Sequence, residues 1–342
     1  AVFWPLNPDF AKKDAYVVNE SSKATMAATA VKPIACWDKV DEETFRREIY
    51  PLRQPAVLRG VPVGHCTSLW DRDYLCARGG TRTVKVHVSQ DRHMDFLSKN
   101  FVYRTLQFCE LVQRASRTKQ TDYFISETEF YYLRTLGTDS RKEPASIAVQ
   151  FPELAEDVTL PKLFPEEAFF SSVLRIASPQ LCLWTHYDVM DNILIQVQGK
   201  KKAVLFHPND FDHLYIRGDK SLVLDVDHPN LEKYPKFQKA TKYEAILNSG
   251  DVLFIPGLFT ALWFHNMTAL DFGIAVNVFW RHLDASLYDR SDPYGNKDPI
   301  PASRALASVA KAVKELDLLP SHYQQFYALK MISQIKEVFH VS

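Results

Sequence analysis

The sequence carries no excess of charge of either sign. Among its 342 residues, Lys+Arg and Asp+Glu each number 41, so the formal net charge at pH 7 is zero. A nucleic-acid-binding surface would therefore be a local basic patch and not a property of the whole chain. No apolar run approaches the roughly 20 residues of a membrane-spanning helix, and the pattern of a signal peptide is not evident. We expect a protein without a membrane anchor.

Cysteine is scarce, whereas aromatic residues are abundant. The five cysteines form no CxxC pair and no zinc-binding spacing; they are Cys36, Cys66, Cys76, Cys109 and Cys182. An odd, scattered set in a chain of this length predicts reduced thiols, and hence the cytoplasm or the nucleus. The aromatic share of 13% favours a β-rich core.

The chain divides into three segments. Residues 1–32 include a small, polar stretch without a clear period, which predicts a poorly ordered extension. Residues 33–300 form the predicted globular domain. Residues 301–342 change character and have the spacing of helices.

The last segment has the apolar pattern of two amphipathic helices. Leu306, Val309, Val313 and Leu316 are spaced by three or four residues, and beyond Pro320 large apolar side chains recur at every fourth position. These helices either pack on their own domain or form a dimer interface.

Short strands and turns predominate within residues 33–300. Apolar patterns predict strands at 56–59, 83–88, 172–176, 181–188, 250–256 and 274–280. The segments 193–197 and 202–206 predict a hairpin, and helices are predicted at 41–50 and 106–116. Many short strands at this spacing indicate a mainly β fold, a jelly roll or barrel with flanking helices.

Two histidines and one aspartate have the pattern of a metal site. His186 and Asp188 are two residues apart, so on a strand they would point to the same side, and His265 follows well downstream. Two histidines and a carboxylate form the facial triad that holds non-haem Fe(II) in oxygenases. The alternative is that they are ordinary polar residues at strand ends.

Four further residues are candidates for ligand contact. Alternation along the strand could turn Lys201 inward, where a buried cation needs an anion such as the far carboxylate of 2-oxoglutarate; otherwise it is solvated. Asn192 and Asn277 lie in apolar strand surroundings, where an amide needs a ligand or a backbone partner. Tyr132, considered alone, is a core aromatic.

Several stretches resemble one family of oxygenases. Residues 183–201, which read LWTHYDVMDNILIQVQGKK, resemble the JmjC-domain oxygenases that use 2-oxoglutarate, and among these the tRNA wybutosine hydroxylases. Supporting stretches lie at 94–105, 169–173 and 292–299, and the resemblance extends over residues 33–327.

The resemblance implies a double-stranded β-helix of the jelly-roll, or cupin, type with C-terminal helices. It implies that His186, Asp188 and His265 bind Fe(II), that Tyr132, Asn192 and Lys201 bind 2-oxoglutarate, and that Asn277 supports the cosubstrate; these positions are matched one by one. The implied reaction uses O2 to hydroxylate the wybutosine side chain of phenylalanine tRNA, on a precursor-bearing tRNA. The family also implies a homodimer formed through residues 301–342.

The chain departs from the family pattern before His265. Where the family reads IPALWFH, residues 255–265 read IPGLFTALWFH, four residues more. Four extended residues reach up to about 13 Å, enough to displace the third ligand. Gly257 offers a turn through which the extra residues could bulge outward and leave His265 in place. A displaced ligand would leave a non-catalytic, cupin-like binding module.

The substrate class is open between tRNA and protein. Zero net charge favours a JmjC hydroxylase or demethylase acting on a protein, because tRNA binding depends on phosphate contacts. A local patch would favour tRNA, and the candidate basic residues are Arg114, Arg117, Lys119, Arg134, Arg141 and Lys142. The alternative for these residues is scattered solvated charge.

Overall fold

The structure, a computed structural model, describes residues 30–257 and 263–339. The predicted disorder of residues 1–29 lies outside this range. Val31–Pro33 forms the first strand, so the expectation of poor order was wrong for Val31 and Lys32, because they pair with a strand far along the chain.

Fifteen strands occur in the described ranges. They are β1 Val31–Pro33, β2 Ala35–Asp38, β3 Ala56–Arg59, β4 Thr83–Ser89, β5 Phe101–Gln107, β6 Phe130–Arg134, β7 Phe169–Ala177, β8 Asp191–Gln198, β9 Lys201–Phe206, β10 Ile216–Arg217, β11 Lys220–Ser221, β12 Lys242–Leu247, β13 Val252–Ile255, β14 Phe264–Ala269 and β15 Gly273–Trp280.

Eight α-helices accompany the strands in the same ranges. They are α1 Glu42–Thr44, α2 Cys66–Leu69, α3 Arg72–Gly79, α4 Phe108–Ala115, α5 Ile147–Gln150, α6 Pro152–Ala155, α7 Ile300–Leu316 and α8 Ser321–Phe339. The same ranges also contain a π-helical turn at Phe45–Ile49. Short 3₁₀ turns lie at Tyr50–Leu52, Glu166–Ala168, Pro208–His213, Pro235–Lys239 and Ala285–Leu287.

Two sheets build the jelly roll. The larger has the order β2-β3-β13-β8-β15-β7-β6-β4-β5, and the smaller has the order β1-β12-β9-β14. An apolar cluster joins them: Leu194 and Leu253 come from the larger sheet, while Ala203, Leu205 and Met267 come from the smaller one. The predicted mainly β, jelly-roll fold with flanking helices is confirmed.

The other face of the larger sheet is covered by helices. Ile195 of β8 and Val276 of β15 belong to the same apolar cluster as Leu75, Phe108 and Leu154 of the helices. Successive residues of β8 therefore serve two cores, because alternate side chains of a strand point to opposite faces. Residues 192 and 194 point into the jelly roll.

The predicted hairpin of β8 and β9 is wrong. These strands follow each other closely, yet β8 pairs with β13 and β15, whereas β9 pairs with β12 and β14. The connection crosses from one sheet to the other at Gly199, which has φ +74° and lies so close to Phe272 that a Cβ would be 2.3 Å from its carbonyl oxygen. Alternation then places Lys201 on the inner face of β9.

Three predicted segments have different limits or form. The segment 181–188 is not a regular strand; only isolated bridges at Cys182 and His186 pair it with β14. The helix predicted at 106–116 starts later, because Leu106 and Gln107 end β5. The helix predicted at 41–50 is confirmed as helical, but most of it is a π-turn.

The expectation of five free thiols is also wrong. Cys76 of α3 and Cys109 of α4 are joined by a disulfide, which the two packed helices bring together. The expectation of a reducing compartment then rests on Cys36, Cys66 and Cys182 alone.

The two C-terminal helices lie apart from both cores. Neither α7 nor α8 buries a residue, and their exposed apolar side chains include Leu306, Val313, Phe326, Leu329 and Ile332. The two predicted helices are confirmed. Across the described ranges, no helix combines the length and apolar character needed to cross a bilayer.

Candidate metal centre

Backbone pairing brings the predicted ligands together. The His186 N–H donates to the carbonyl of His265 at 3.1 Å, and the His265 N–H donates to the carbonyl of His186 at 2.7 Å. This two-residue bridge sets the imidazole rings side by side, with centroids 4.3 Å apart. His186 and Asp188 lie on an irregular segment and not on the regular strand that we expected. Their side chains nevertheless lie close together.

The three side chains could hold one ion. One ligand atom from each of His186, Asp188 and His265 lies within 4.8 Å of the others, and Nε2 of His265 is 3.5 Å from Oδ2 of Asp188. The Nδ1 atoms of His186 and His265 lie 3.0 and 3.3 Å from the carbonyls of Trp184 and Trp263. Such second contacts fix the rings and leave Nε2 for a metal. The displacement of His265 that the longer sequence before it made possible is not observed, because His265 lies beside His186 and Asp188.

Electrostatics keep the triad in its ligating form. Burial, and then the neighbouring His265, lowers the pKa of His186 to about 3, and burial also lowers the pKa of His265. Burial opposes ionisation of Asp188, but the two imidazoles and Arg175 together hold its pKa below the usual value. Neutral imidazoles and an ionised carboxylate are the forms that bind metal ions.

Two asparagines support Asp188 from behind. The Asn192 amide donates to Oδ2 of Asp188 at 3.1 Å, and the Asn277 amide donates to Oδ1 of Asn192 at 3.2 Å. Asn192 is fully buried and does not line the pocket, whereas Asn277 does. Oδ1 of Asn277 has no hydrogen-bond partner among the described residues.

Beside the triad lies a pocket lined by two cations and one carboxylate, that of Asp188. Lys201 is 6% exposed and lines this pocket with Arg175 and Tyr132. Burial, and then Arg175, lowers the pKa of Lys201 to about 7, and no carboxylate offsets either influence. Arg175 donates to the Tyr132 hydroxyl, and its Nε has no partner in the described part of the chain. Two cations in one pocket require an anionic ligand.

Arg175 is a site residue that the sequence reasoning missed. It lies on β7, whose next neighbours Leu174 and Ile176 are both fully buried. A charged residue between buried apolar ones is the signal that could have found it, because a buried guanidinium needs partners.

The pocket opens to a wider mouth of about 330 Å³. Three cations lie over aromatic rings around it: Lys85 is 4.4 Å from the ring centre of Tyr103, and Arg134 is 5.1 Å from that of Tyr294. The third pair is Lys220 over Phe96, at 5.5 Å, but Lys220 is also ion-paired with Asp219, which leaves Lys85 and Arg134 to supply positive charge. Exposed rings backed by cations favour a flat, anionic ligand.

The predicted basic patch is only partly at this mouth. Arg134 lines it, but Arg114 was a wrong candidate: it is 8% exposed and bonded to Glu110 and Asp122. Its charge is satisfied inside the protein. The remaining candidates are exposed and do not line the mouth; they are Arg117, Lys119, Arg141 and Lys142.

The fold and the triad define the class of protein. Residues 42–286 match the cupin-like domain family, and the chain belongs to it. More narrowly, the chain belongs to the family of tRNA wybutosine-synthesizing protein 5. It is 58% identical to that protein of Danio rerio over 303 residues, 89% of this chain and 92% of the fish protein. With the Homo sapiens protein it shares 54% identity over 305 residues, 89% and 96% of the two chains. A more distant match, 34% over 332 residues, is tRNA wybutosine-synthesizing protein 4 of Aspergillus oryzae, of which 30% is covered.

The geometry predicts that His265 is needed for metal binding. Titration calorimetry with Ni(II) or Co(II) should show one ion bound to the wild type. His265→Ala should weaken binding by more than the roughly 10- to 100-fold that loss of an outer partner costs. The matched control is His228→Ala, whose side chain is 83% exposed and which should bind as the wild type does. Equal affinity of His265→Ala and the wild type would exclude His265 as a ligand.

Proposed function

We propose that the chain is an Fe(II)- and 2-oxoglutarate-dependent dioxygenase that hydroxylates the wybutosine side chain of phenylalanine tRNA. The observation that carries the proposal is the triad of His186, Asp188 and His265 beside Lys201 and Arg175, two cations that share one pocket with the single carboxylate of Asp188. The names of the relatives, tRNA wybutosine-synthesizing proteins, support the substrate.

The triad fits Fe(II), since two imidazoles and one carboxylate leave open positions on the metal. His186, Asp188 and His265 would hold it, and Asn192 would orient the carboxylate through its bond to Asp188. Bound Fe(II), with 2-oxoglutarate and O2, supplies the oxidation of a substrate C–H bond to C–OH with release of succinate and CO2. Of the three residues, His265 is buried, whereas His186 and Asp188 are partly exposed toward the mouth through which substrate would enter.

The charges of the cation pocket suit 2-oxoglutarate, although the cavity itself measures only about 30 Å³ and the cosubstrate would extend toward the mouth. Its far carboxylate would accept hydrogen bonds from Lys201, and Tyr132 and Arg175 lie in the same wall. Nε of Arg175, which has no hydrogen-bond partner among the described residues, is a further donor that the dicarboxylate could satisfy. The dicarboxylate restores the charge balance that the pocket lacks, so binding and protonation of Lys201 support each other.

Binding of 2-oxoglutarate should weaken as the pH rises. Lys201 has a pKa of about 7 before the anion binds, and only the ammonium form pairs with it. Below pH 7 the affinity should be level; above it, binding requires uptake of a proton, so Kd should rise about tenfold per pH unit. Calorimetry in buffers of different ionisation enthalpy would measure both the affinity and the proton uptake.

Two variants make this prediction specific. Lys201→Met should remove the pH dependence and weaken binding by about 2–5 kcal/mol. Lys202→Met is the matched control, because Lys202 points to the other face and pairs with Asp227 at 2.6 Å. An affinity that is unchanged in Lys201→Met would show that the far carboxylate binds elsewhere.

The mouth suits a modified nucleoside on a tRNA strand. Tyr103 and Tyr294 are 44% and 41% exposed, and base stacking on such rings contributes about 1–3 kcal/mol per base. Lys85 and Arg134 also line the adjoining groove with Arg82, which offers positive charge to neighbouring phosphates. This local basic patch could contact phosphates even though the net charge of the whole chain is zero. A protein substrate for the same centre remains the rival.

Product analysis should separate the two substrates. With Fe(II) and 2-oxoglutarate, precursor-bearing phenylalanine tRNA should gain one oxygen atom on its wybutosine nucleoside, seen by mass spectrometry of digests. Lys85→Ala and Arg134→Ala should each reduce the slope of log affinity against log salt by about 0.7–0.9. Arg47→Ala, exposed and outside the mouth, should leave it unchanged. Oxidation of a peptide in place of the nucleoside would transfer the proposal to a protein substrate.

We also propose a homodimer through residues 301–342, of which 340–342 lie outside the described range. Helices α7 and α8 bury nothing in the single chain, and exposed apolar stripes of this size are typical of interfaces. A second copy, rather than the chain's own domain, would cover them.

Light scattering should give a mass near twice the 39.3 kDa of one chain. Phe326→Glu should shift it toward the monomer, because Phe326 is 61% exposed on α8 and would carry a charge into the interface. Val149→Glu, at a residue 64% exposed on α5, is the control and should stay dimeric. A monomeric wild type at micromolar concentration would exclude the dimer.

A further inference from the structure

A buried ion pair lies beside Gly257, shortly after the end of β13. Nη2 of Arg53 is 2.6 Å from Oδ1 of Asp191, and Nη1 is 3.1 Å from Oδ2. Asp191 is fully buried and Arg53 is 8% exposed. Because both hydrogen bonds of this buried, bidentate ion pair are charge-assisted, the two side chains are held rigidly in place.

Both partners of the pair are bonded to Gly257. Oδ1 of Asp191 accepts the Gly257 N–H at 2.7 Å, and Nη2 of Arg53 donates to the Gly257 carbonyl at 3.3 Å. Residue 257 lies so close to the chain at 190–191 that a Cβ would be 2.5 Å from the carbonyl carbon of Met190. Only glycine allows this approach.

The same arginine is also bonded to Trp263. The carbonyl of Arg53 accepts the indole N–H of Trp263 at 3.2 Å. The carbonyl of Trp263 in turn lies 3.3 Å from Nδ1 of the ligand His265. Arg53 itself has φ +49°, a strained conformation for a residue other than glycine, which its surroundings must maintain.

We propose that Arg53 and Asp191 act as a positioning clamp for the metal ligand His265. The clamp is bonded to both Gly257 and Trp263, which precede His265 in the chain. Because Arg53 bonds to both residues, their separation is fixed. His265 therefore keeps its place beside Asp188, and Arg53, Asp191 and Trp263 act on the metal only through it. The inference rests on the proposed metal centre.

A purely structural ion pair would affect stability but not metal affinity. Breaking one partner of a buried pair is strongly destabilising wherever it lies. The informative variant is therefore Trp263→Phe, which removes one N–H and keeps the ion pair. Its matched control is Trp70→Phe, because the buried indole of Trp70 donates to Asp157 at 2.9 Å, away from the triad.

The experiment measures Co(II) affinity, the visible Co(II) spectrum and the Tm of the metal-free full chain. Trp263→Phe and Trp70→Phe should lower Tm by similar amounts. Only Trp263→Phe should weaken Co(II) binding, by about tenfold or more, and change the spectrum, as expected for loss of an outer contact to a ligand. Gly257→Ala should also weaken Co(II) binding and change the spectrum, because the added Cβ would displace residue 257.

The results that would overturn the inference are distinguishable. If the wild type binds Co(II) and Trp263→Phe and Gly257→Ala bind it equally well, the clamp is wrong while the metal centre stands. If the wild type does not bind Co(II), the proposed function fails and the clamp fails with it. Asp191→Asn is the variant that alters the ion pair itself, and it should weaken Co(II) binding as Trp263→Phe does; unchanged binding would show that the pair does not position His265.

Discussion

The reciprocal pair of backbone hydrogen bonds between His186 and His265 is the interaction on which the site depends. It joins an irregular segment to β14 and places two imidazoles side by side. Neighbouring elements support this bridge. In the smaller sheet β14 pairs with β9, and a hydrogen bond from Asn192 orients Asp188, the third residue of the triad. A regular strand at 181–188 is not needed, because one bridge gives the required proximity.

Charge gives the site its chemical preference. The pocket offers a single carboxylate, that of Asp188, against the two cations Lys201 and Arg175, and no carboxylate raises the pKa of Lys201. A pocket arranged in this way binds a small dianion more readily than a neutral ligand. The mouth continues the pattern with cations placed over aromatic rings, so that positive charge and flat surfaces extend from the buried centre to the exterior.

Much of the site could be predicted because its signals are local. The spacing of His186 and Asp188 singled out two residues that the structure places beside His265, and alternation along β9 correctly allowed Lys201 to face inward. Partners across the fold could not be predicted in this way. A short turn at Gly199 predicts a hairpin, but local sequence does not show that β8 and β9 join different sheets. The disulfide of Cys76 and Cys109 likewise follows from the packing of two helices, not from spacing.

The most direct measurement is a crystal structure with Mn(II), in place of Fe(II), and 2-oxoglutarate under anaerobic conditions. We predict the metal bound by His186, Asp188 and His265, with the 2-oxo acid end of the cosubstrate on the metal. The far carboxylate should lie within about 3 Å of Nζ of Lys201, the distance of a charged hydrogen bond. A metal without His265 among its ligands, or a far carboxylate directed to the mouth and away from Lys201, would contradict the account.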